Sequence, residues 1–328
     1  MIFNDVLEIR NGRNQKNVEN PDGKYPIYGS GGIMGYADDY ICEADTVIIG
    51  RKGNINNPIF VEEPFWNVDT AFGLSAKREV LLPRYLYYFC RNFDFERLNK
   101  AVTIPSLTKS DLLKIEIELP SMENQQKIVD KLSKIEQIIQ MRKQELQGID
   151  ELIKARYVEM FYDKGYPVLK WNDVFNTTTG KLDSNAAVDG GAYPFFTCSK
   201  EVLRIDDYAF EEEALLLAGN NAAGKYDVKY YSGKFNAYQR TYVLTLKENW
   251  SYRLFQYQLE DKLAYLQQQS LGGLTKYLTL KILGELEFII PPKKQQDKFD
   301  LFIKQVDKSK VVVQKAIDAL NRNLRVSK

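Results

Sequence analysis

An internal repeat is the feature of this sequence that most constrains its fold. Aligned with itself at an offset of 168, the chain matches residues 3–50 to residues 171–218 without a gap, and 12 of these 48 positions are identical. Average composition would give roughly three identities by chance. We therefore predict two copies of one module in tandem, built on the same plan.

The identities form short runs that keep their order in both copies. The clearest runs are Asn4-Asp5-Val6 with Asn172-Asp173-Val174, Tyr25-Pro26 with Tyr193-Pro194, and Asp38-Asp39-Tyr40 with Asp206-Asp207-Tyr208. Later the offset rises to about 171, where Leu107-Thr108 matches Leu278-Thr279. A Gln-Gln pair follows in each half, Gln125-Gln126 and Gln295-Gln296. The repeat is thus predicted to extend through most of the chain.

Each copy is predicted to be a mixed α/β domain. It begins with short segments rich in Val, Ile, Tyr and Phe that are broken by Gly, Asn and Pro, as strands and turns are. A helix-rich part follows, with a helix predicted over Pro83–Asn99 in the first copy. The alternation over Lys114–Leu119 predicts a strand, which Pro120 would end.

Both copies end in a segment typical of a long helix. Residues 123–160 contain no Pro and one Gly, and their apolar residues fall at heptad spacings. The apolar stripes are Ile128, Leu132, Ile135, Ile139, Leu146, Ile149 and Ile153 in the first helix, and Phe299, Phe302, Val306, Val313, Ala316, Leu320 and Leu324 in the second. Antiparallel pairing as a coiled coil would cover both stripes at once. The alternative is that each helix docks on its own domain.

Composition limits the chemistry open to the chain. The 328 residues, 44% of them hydrophobic and 27% charged, suffice for about two soluble domains. The sequence has no histidine, which excludes His-based triads and His-bearing metal sites. Cys42, Cys90 and Cys198 form no CxxC pair, which favours a reducing compartment. We expect neither a membrane span nor a signal peptide, and we place the protein in the cytoplasm.

Three segments invite a catalytic interpretation and fit it poorly. Residues 29–32 and 50–53 are glycine-rich, but neither matches a phosphate-binding motif between a strand and a helix. Residues 56–60 are similar to the Asn-Pro-Pro-aromatic motif of amino-methyltransferases but lack its second proline. Asp38 and Asp39 are adjacent on an extended segment, so their carboxylates are expected to point in opposite directions.

Loops rich in basic and amide residues are the remaining candidate site. The first copy offers Arg51, Lys52 and Asn54, and the second offers Asn220, Asn221, Lys225, Gln239 and Arg240. Arg and Lys can pair with guanine or phosphate, and Asn and Gln with adenine. The loops differ between copies where the flanking residues agree, as expected of one scaffold that reads two DNA sequences. The alternative is that they are ordinary solvated loops.

Several motifs together resemble the specificity subunit of type I restriction-modification systems. They are Tyr-Pro-Ile-Tyr-Gly-Ser at 25–30, Val-Ile-Ile-Gly-Arg-Lys-Gly-Asn at 47–54, Ile-Pro-Ser-Leu-Thr at 104–108, Leu-Pro at 119–120 and Gln-Gln-Lys-Ile at 125–128. The resemblance covers nearly the whole chain. It adds Tyr28, Ser30, Ser106 and Lys109 to the expected DNA-binding residues.

The resemblance implies two target-recognition domains, each of which reads one half of a split double-stranded DNA target. The expected boundaries are 1–122 and 161–292 for the domains and 123–160 and 293–328 for the spacer helices. These helices are expected to bind methyltransferase (modification) subunits through the stripe residues above, and restriction (motor and nuclease) subunits are expected in the same complex. The chain itself would be no enzyme and bind no cofactor or metal. S-adenosylmethionine, ATP and Mg would be used by the partner subunits.

The second copy departs from the family pattern. It has Thr275-Lys276-Tyr277-Leu278-Thr279 where the first has residues 104–108, and it lacks the Gly-Arg-Lys-Gly loop. We also expect little or no N-terminal extension ahead of the first domain. Two other functions stay open: a structural adaptor of such a complex without its own base readout, and an enzyme fused to a recognition module. S-adenosylmethionine binding by the chain alone would favour the latter.

Charge distinguishes the two predicted helices. Residues 293–328 hold ten Lys and Arg against four Asp, whereas residues 123–160 hold seven of each sign. The net charge of the whole chain is only +1, so phosphate binding would depend on local patches. The last helix is expected to contact DNA phosphate or an acidic partner surface, with a solvated basic face as the alternative.

Overall fold

The computed structural model describes residues 1–99, 104–222 and 224–326. Two compact units divide the chain: Met1–Gln144 together with Gln314–Lys328, and Glu145–Val313. Each unit holds one α/β domain and part of each long helix. Among the described residues, no helix is both long and apolar enough to cross a membrane.

The domain of the first unit consists of short strands and short helices. They are α1 (Phe3–Val6), β1 (Leu7–Asn11), β2 (Tyr25–Gly29), β3 (Gly32–Ala37), β4 (Thr46–Gly50), β5 (Ile59–Val61), β6 (Trp66–Asn67), β7 (Ala71–Ala76), α2 (Pro83–Asn92) and α3 (Lys109–Leu112). One sheet has the order β1-β7-β4-β5 with antiparallel neighbours, and a smaller sheet has the order β3-β2-β6.

The apolar run of β4 explains its central position. All five of its residues are buried, as expected for a strand covered on both faces. Val47 and Ile49 belong to the main core cluster with Phe72 of β7 and Leu86 of α2. Ile48 belongs to a second buried cluster on the other side.

The second unit follows the same plan, with short paired strands in two places where the first unit has only isolated bridges. Its elements are β8 (Val168–Lys170), α5 (Trp171–Val174), β9 (Phe175–Thr179), β10 (Tyr193–Phe196), β11 (Leu203–Ile205), β12 (Phe210–Ala218), β13 (Asn220–Asn221), β14 (Val228–Ala237), β15 (Thr241–Leu246), α6 (Tyr252–Asp261), α7 (Leu263–Gln269), β16 (Lys276–Tyr277), α8 (Leu280–Gly284) and β17 (Glu287–Ile289). The main sheet has the order β11-β10-β14-β12-β15-β9.

The sequence repeat is also a repeat of backbone contacts. Lys77 N–H donates to Val6 O in the first copy, and Lys247 N–H donates to Val174 O in the second. The two copies share a glycine, Gly12 and Gly180, for the same steric reason. A Cβ at Gly12 would lie 1.8 Å from a backbone oxygen, and one at Gly180 would lie 1.7 Å from another. Only glycine fits where the two segments pass this closely.

Two sequence predictions about local structure are wrong in part. Residues 114–119 form no strand, and only Glu116 makes an isolated bridge, to Ile2. The alternation there reflects burial of Ile115 and Ile117 in the core. The predicted helix over 83–99 ends at Asn92, and a 3-10 helix follows at Phe95–Leu98. Asp94 caps that second helix by accepting from Glu96 N–H, which explains the break.

The two long helices are α4 (Met122–Phe161) and α9 (Lys293–Val326). Every predicted stripe residue is buried or half-buried, and Ile303 and Ile317 are buried as well. In the second unit the Phe161 and Phe299 rings lie 5.4 Å apart between centroids, and Asp150 pairs with Lys310. Pairing along the whole length as an antiparallel coiled coil stays a prediction.

The predicted domain boundaries also stay predictions. The chain passes from one compact unit to the other within each long helix, between residues 144 and 145 and between residues 313 and 314, rather than at the ends of the helices. Residue 223 of the predicted second domain, and residues 327 and 328 of the predicted last helix, lie outside the described residues.

Candidate nucleic-acid interface

Three segments of the first copy are joined by backbone hydrogen bonds beside the predicted basic loop. Arg51 N–H donates to Thr70 O at 2.7 Å, and Leu107 N–H donates to Arg51 O at 2.9 Å. Lys52 forms a bridge with Ser106. We call Arg51, Lys52, Thr70, Ser106 and Leu107 the first clamp. Buried Leu107 anchors it to the core.

The second copy repeats this hydrogen-bond pattern. Gly219 N–H donates to Arg240 O at 2.8 Å, Leu278 N–H donates to Gly219 O at 2.8 Å, and Asn220 pairs with Tyr277. Gly219, Asn220, Arg240, Tyr277 and Leu278 form the second clamp. The clamps therefore match residue by residue, with Arg51 at the position of Gly219, Lys52 at Asn220, Thr70 at Arg240, Ser106 at Tyr277 and Leu107 at Leu278.

The two clamps carry their arginine on opposite sides of the same hydrogen bond. In the first clamp Arg51 is the donor residue and Thr70 the acceptor, whereas in the second Gly219 is the donor and Arg240 the acceptor. Arg51, Thr70 and Arg240 are exposed. The same backbone arrangement therefore carries its arginine on the donor segment in the first clamp and on the acceptor segment in the second.

Other predicted residues of the first copy surround the clamp. Asn54 Nδ2 donates to Ser30 O at 3.5 Å. A Cβ at Gly50 would lie 2.1 Å from Asn54 O and 3.0 Å from Ser30 Cβ, so glycine permits this approach. Tyr28 is half-buried, and burial, with a smaller contribution from Glu63, raises the pKa of its hydroxyl.

Lys109 lies in a different recess from the clamp cations. It begins α3, where Thr108 caps the helix by accepting from Asp111 N–H. The recess, of about 730 Å³, is also lined by Arg10, Arg13 and Asp39. Asp39 and Glu43 place two carboxylates in this recess, which makes it less suited to phosphate than the clamp.

The predicted residues of the second copy lie on both sides of its clamp. Lys225 N–H donates to Asn221 Oδ1 at 3.3 Å, which folds the loop after β13 back on itself. Gln239 donates from Nε2 to Asp183 Oδ2 at 3.3 Å, so this amide is held in place by a carboxylate. Lys225, Gln239 and Arg240 are exposed.

Charge favours an anionic partner at both clamps. Arg51, Lys52, Lys225 and Arg240 are exposed, and over the described ranges no carboxylate pairs with any of them. Such side chains can contact phosphate, and arginine can also donate two hydrogen bonds to guanine. The arrangement is suited to recognition of DNA, while contact of individual residues with DNA stays a prediction.

Sequence reasoning missed several residues at these sites. Thr70 and Tyr277 complete the clamps, and Cys198 lies at the position of Ser30, with its Sγ 3.3 Å from Arg240 O. The offset of 168 pairs Cys198 with Ser30 and could have identified it. Another missed residue is Leu274, whose side chain is 94% exposed in the loop before the second clamp.

The stripe residues predicted to bind partners are turned inward. Leu132, Ile139, Phe299, Val306 and Val313 are buried within the chain. Exposed apolar residues lie elsewhere on the same helices: Met141, Leu152 and Val158 on α4, and Leu301, Val311 and Val312 on α9. Docking of partners on these helices stays a prediction.

Comparison with known proteins gives a consistent family match. The profile of the type I restriction modification DNA specificity domain matches residues 3–151 and 164–322. The chain is 33% identical over 164 residues to the type I restriction enzyme EcoDI specificity subunit of Escherichia coli, which covers 48% of this chain and 35% of that subunit. It is 27% identical over 215 residues to a putative type I specificity subunit of Mycoplasma pneumoniae, which covers 62% and 79%. The chain thus spans about a third of the E. coli relative's length.

Solved structures share the fold. The crystal structure of the type I restriction-modification S subunit from M. genitalium has a TM-score of 0.62 at 17% identity, covering 99% of this chain and 93% of that one. A structure described as showing complex assembly and conformational transition of the type I restriction-modification system has a TM-score of 0.59 at 15% identity, covering 99% and 95%.

Proposed function

The chain belongs to the type I restriction-modification DNA specificity family, and we propose that it gives such a complex its DNA sequence specificity. Each domain binds one half of a bipartite double-stranded DNA target. The complex acts in the cytoplasm. Methyltransferase and restriction subunits assemble around the chain and carry out methyl transfer and cleavage. S-adenosylmethionine, ATP and Mg belong to those subunits, and this chain is not itself catalytic.

The pair of matched clamps is the observation that carries this proposal. The backbone hydrogen bonds are the same in both copies, whereas the exposed side chains differ. If both domains read the same DNA sequence, the clamp side chains would be the same in the two copies. If neither domain read DNA, exposed cations would not be needed at both clamps. One scaffold with two sets of polar side chains suits a target with two different halves.

The chemistry of the clamp side chains supports recognition rather than catalysis. They are guanidinium, ammonium, amide and hydroxyl groups on loops that buried leucines anchor. Arg51 and Arg240 are proposed to contact guanine edges, the commonest specific contact in the major groove. Lys52 and Lys225 are proposed to contact phosphates, which position the domain without selecting a base.

The long helices are proposed to pair as an antiparallel coiled coil and to dock the methyltransferase subunits. The stripe residues are buried within the chain, so the methyltransferase subunits dock on the exposed apolar residues of α4 and α9 named above. Lys and Arg outnumber Asp on the last helix, which favours an acidic partner surface or DNA phosphate there.

The test is co-expression with the cognate methyltransferase subunit, followed by genome-wide mapping of methylated adenines. We expect a split motif, and exchange of one recognition domain for that of a related subunit should change one half of the motif only. Assembly without methylation would favour a structural adaptor that no longer reads bases. Failure to assemble would contradict the proposed function.

A further inference from the structure

A hairpin in the second copy holds a leucine in solvent. Leu271 and Tyr277 exchange both backbone hydrogen bonds, at 3.1 and 2.9 Å. Gly272 has a φ of +99°, and a Cβ there would lie 2.3 Å from Thr275 O, so the turn requires glycine. Leu274 lies within this turn with 94% of its side chain exposed. The fold fixes the backbone on either side of Leu274 but gains no burial from the side chain.

The hairpin is continuous with the second clamp. Its returning strand, β16, pairs with β13, so that Tyr277 lies opposite Asn220 and Lys276 opposite Asn221. The next residue, Leu278, makes the clamp hydrogen bond to Gly219. Any DNA bound at the clamp therefore lies beside this hairpin.

Two lysines lie on one side of the exposed leucine. Lys276 is two residues from Leu274. It also lies beside the loop that bears exposed Lys225, since a Cβ built at Gly224 would be 3.4 Å from Lys276 Cγ. Leu274 itself is preceded by Gly272 and Gly273, whose lack of side chains allows close approach of another molecule. An apolar tip with small neighbours and two ammonium groups on one side is complementary to a stacked base step beside a phosphate backbone.

We propose that Leu274 inserts between two stacked base pairs of the half-target bound by the second domain. This inference rests on the proposed function, since it requires DNA at the second clamp. Insertion of an aliphatic side chain partly unstacks one base step and kinks the duplex. Pyrimidine–purine steps deform most easily, so the second domain selects TA or CA/TG at that position without a hydrogen bond to either base.

A protein partner is the competing occupant, and the hairpin suits it less. Stable protein interfaces bury a broad surface with an apolar centre. Here the hairpin exposes Leu274 at its apex and Leu271 and Tyr277 in part at its base, separated by Gly272, Gly273, Thr275 and Lys276, which is a small and interrupted apolar surface.

The test uses the full chain assembled with its methyltransferase subunits and a duplex that carries the mapped target. 2-Aminopurine, an adenine analogue whose fluorescence rises when stacking is lost, replaces one adenine at a time on either strand of the half bound by the second domain. The adenine that is methylated is left unchanged, because methyltransferases flip their target base out of the stack. We expect a several-fold rise at one step only. Leu274→Ala should abolish that rise, and Leu274→Met should retain it. The salt dependence of binding should not change, because leucine neutralises no phosphate.

Leu280→Ala is the matched control, since Leu280 is an exposed leucine of the same domain that lies on α8. It should leave the fluorescence rise intact. A wild-type complex that binds with no rise at any step, or a rise that Leu274→Ala leaves unchanged, would overturn insertion while leaving DNA recognition in place. Loss of assembly in Leu274→Ala but not in Leu280→Ala would assign the leucine to a protein contact. Absence of DNA binding by the wild-type complex would contradict the proposed function itself.

Discussion

Gln125 and Gln296 are buried at the start of the two long helices and make the same hydrogen bonds in the two copies. Gln125 Oε1 accepts from Leu82 N–H at 2.9 Å, and its Nε2 donates to Pro120 O at 3.0 Å. Gln296 Oε1 accepts from Ser251 N–H at 2.9 Å, and its Nε2 donates to Pro291 O at 2.8 Å. Each glutamine therefore ties the beginning of a long helix to its own domain.

Gln125→Ala is expected to destabilise the first unit by about 1–3 kcal/mol, because the part-buried N–H of Leu82 loses its acceptor, which is the side chain of buried Gln125. Denaturant unfolding of the variant measures the loss. Gln126→Ala is the matched control, since the Gln126 side chain is exposed and donates to Asp130 one turn away on the same helix. Equal stability of the two variants would show that this buried contact does not hold the helix.

Arg51→Ala with Lys52→Ala should weaken DNA binding and reduce the slope of log affinity against log salt by roughly one, because Lys52 is the phosphate contact that is lost and Arg51 contacts a base. Binding titrations at several salt concentrations measure the slope. Arg78→Ala is the control, because Arg78 is an exposed cation already paired with Asp45. An unchanged slope in the double variant would favour the structural adaptor.

Arg240→Ala should relax base selection in one half of the target and leave the other half intact. Loss of a bidentate pair with guanine costs about 1–3 kcal/mol of discrimination at one base. Arg51→Ala should have the same effect in the opposite half. Methylation of a library of variant targets by the assembled complex tests both. Loss of discrimination in the same half for both variants would contradict the assignment of one clamp to each half.

Cysteine labelling should report occupancy of the second clamp. Burial raises the pKa of the Cys42 thiol to about 12, and burial also raises the pKa of the Cys90 thiol, so neither forms thiolate at pH 8. Cys198 is half-exposed beside Arg240. A thiol reagent should therefore modify one cysteine per folded chain, and target DNA should slow that reaction. Cys198→Ser should remove it, whereas labelling unaffected by bound target DNA would place the DNA elsewhere.

The repeat, the mixed α/β class and the long helices with their inward stripes could be predicted because they depend on periodicity and internal identity. The full clamp correspondence could not, although the sequence already pairs Leu107 with Leu278. Thr70 and Arg240 are related by an offset of 170, whereas the opening segments are related by 168, and only backbone register reveals the match. The alternation of apolar and polar residues over 114–119 predicted a strand, because an extended segment with one buried face has the same two-residue period as a strand.

The most direct test of the account is a chain in which the second recognition domain replaces the first, so that both positions carry residues 161–292. Assembled with its methyltransferase subunits, this chain should methylate a split target whose two halves carry the same sequence, the half read by the second domain of the natural chain. A motif with its original two different halves, from a complex that assembles normally, would contradict the claim that each domain reads one half.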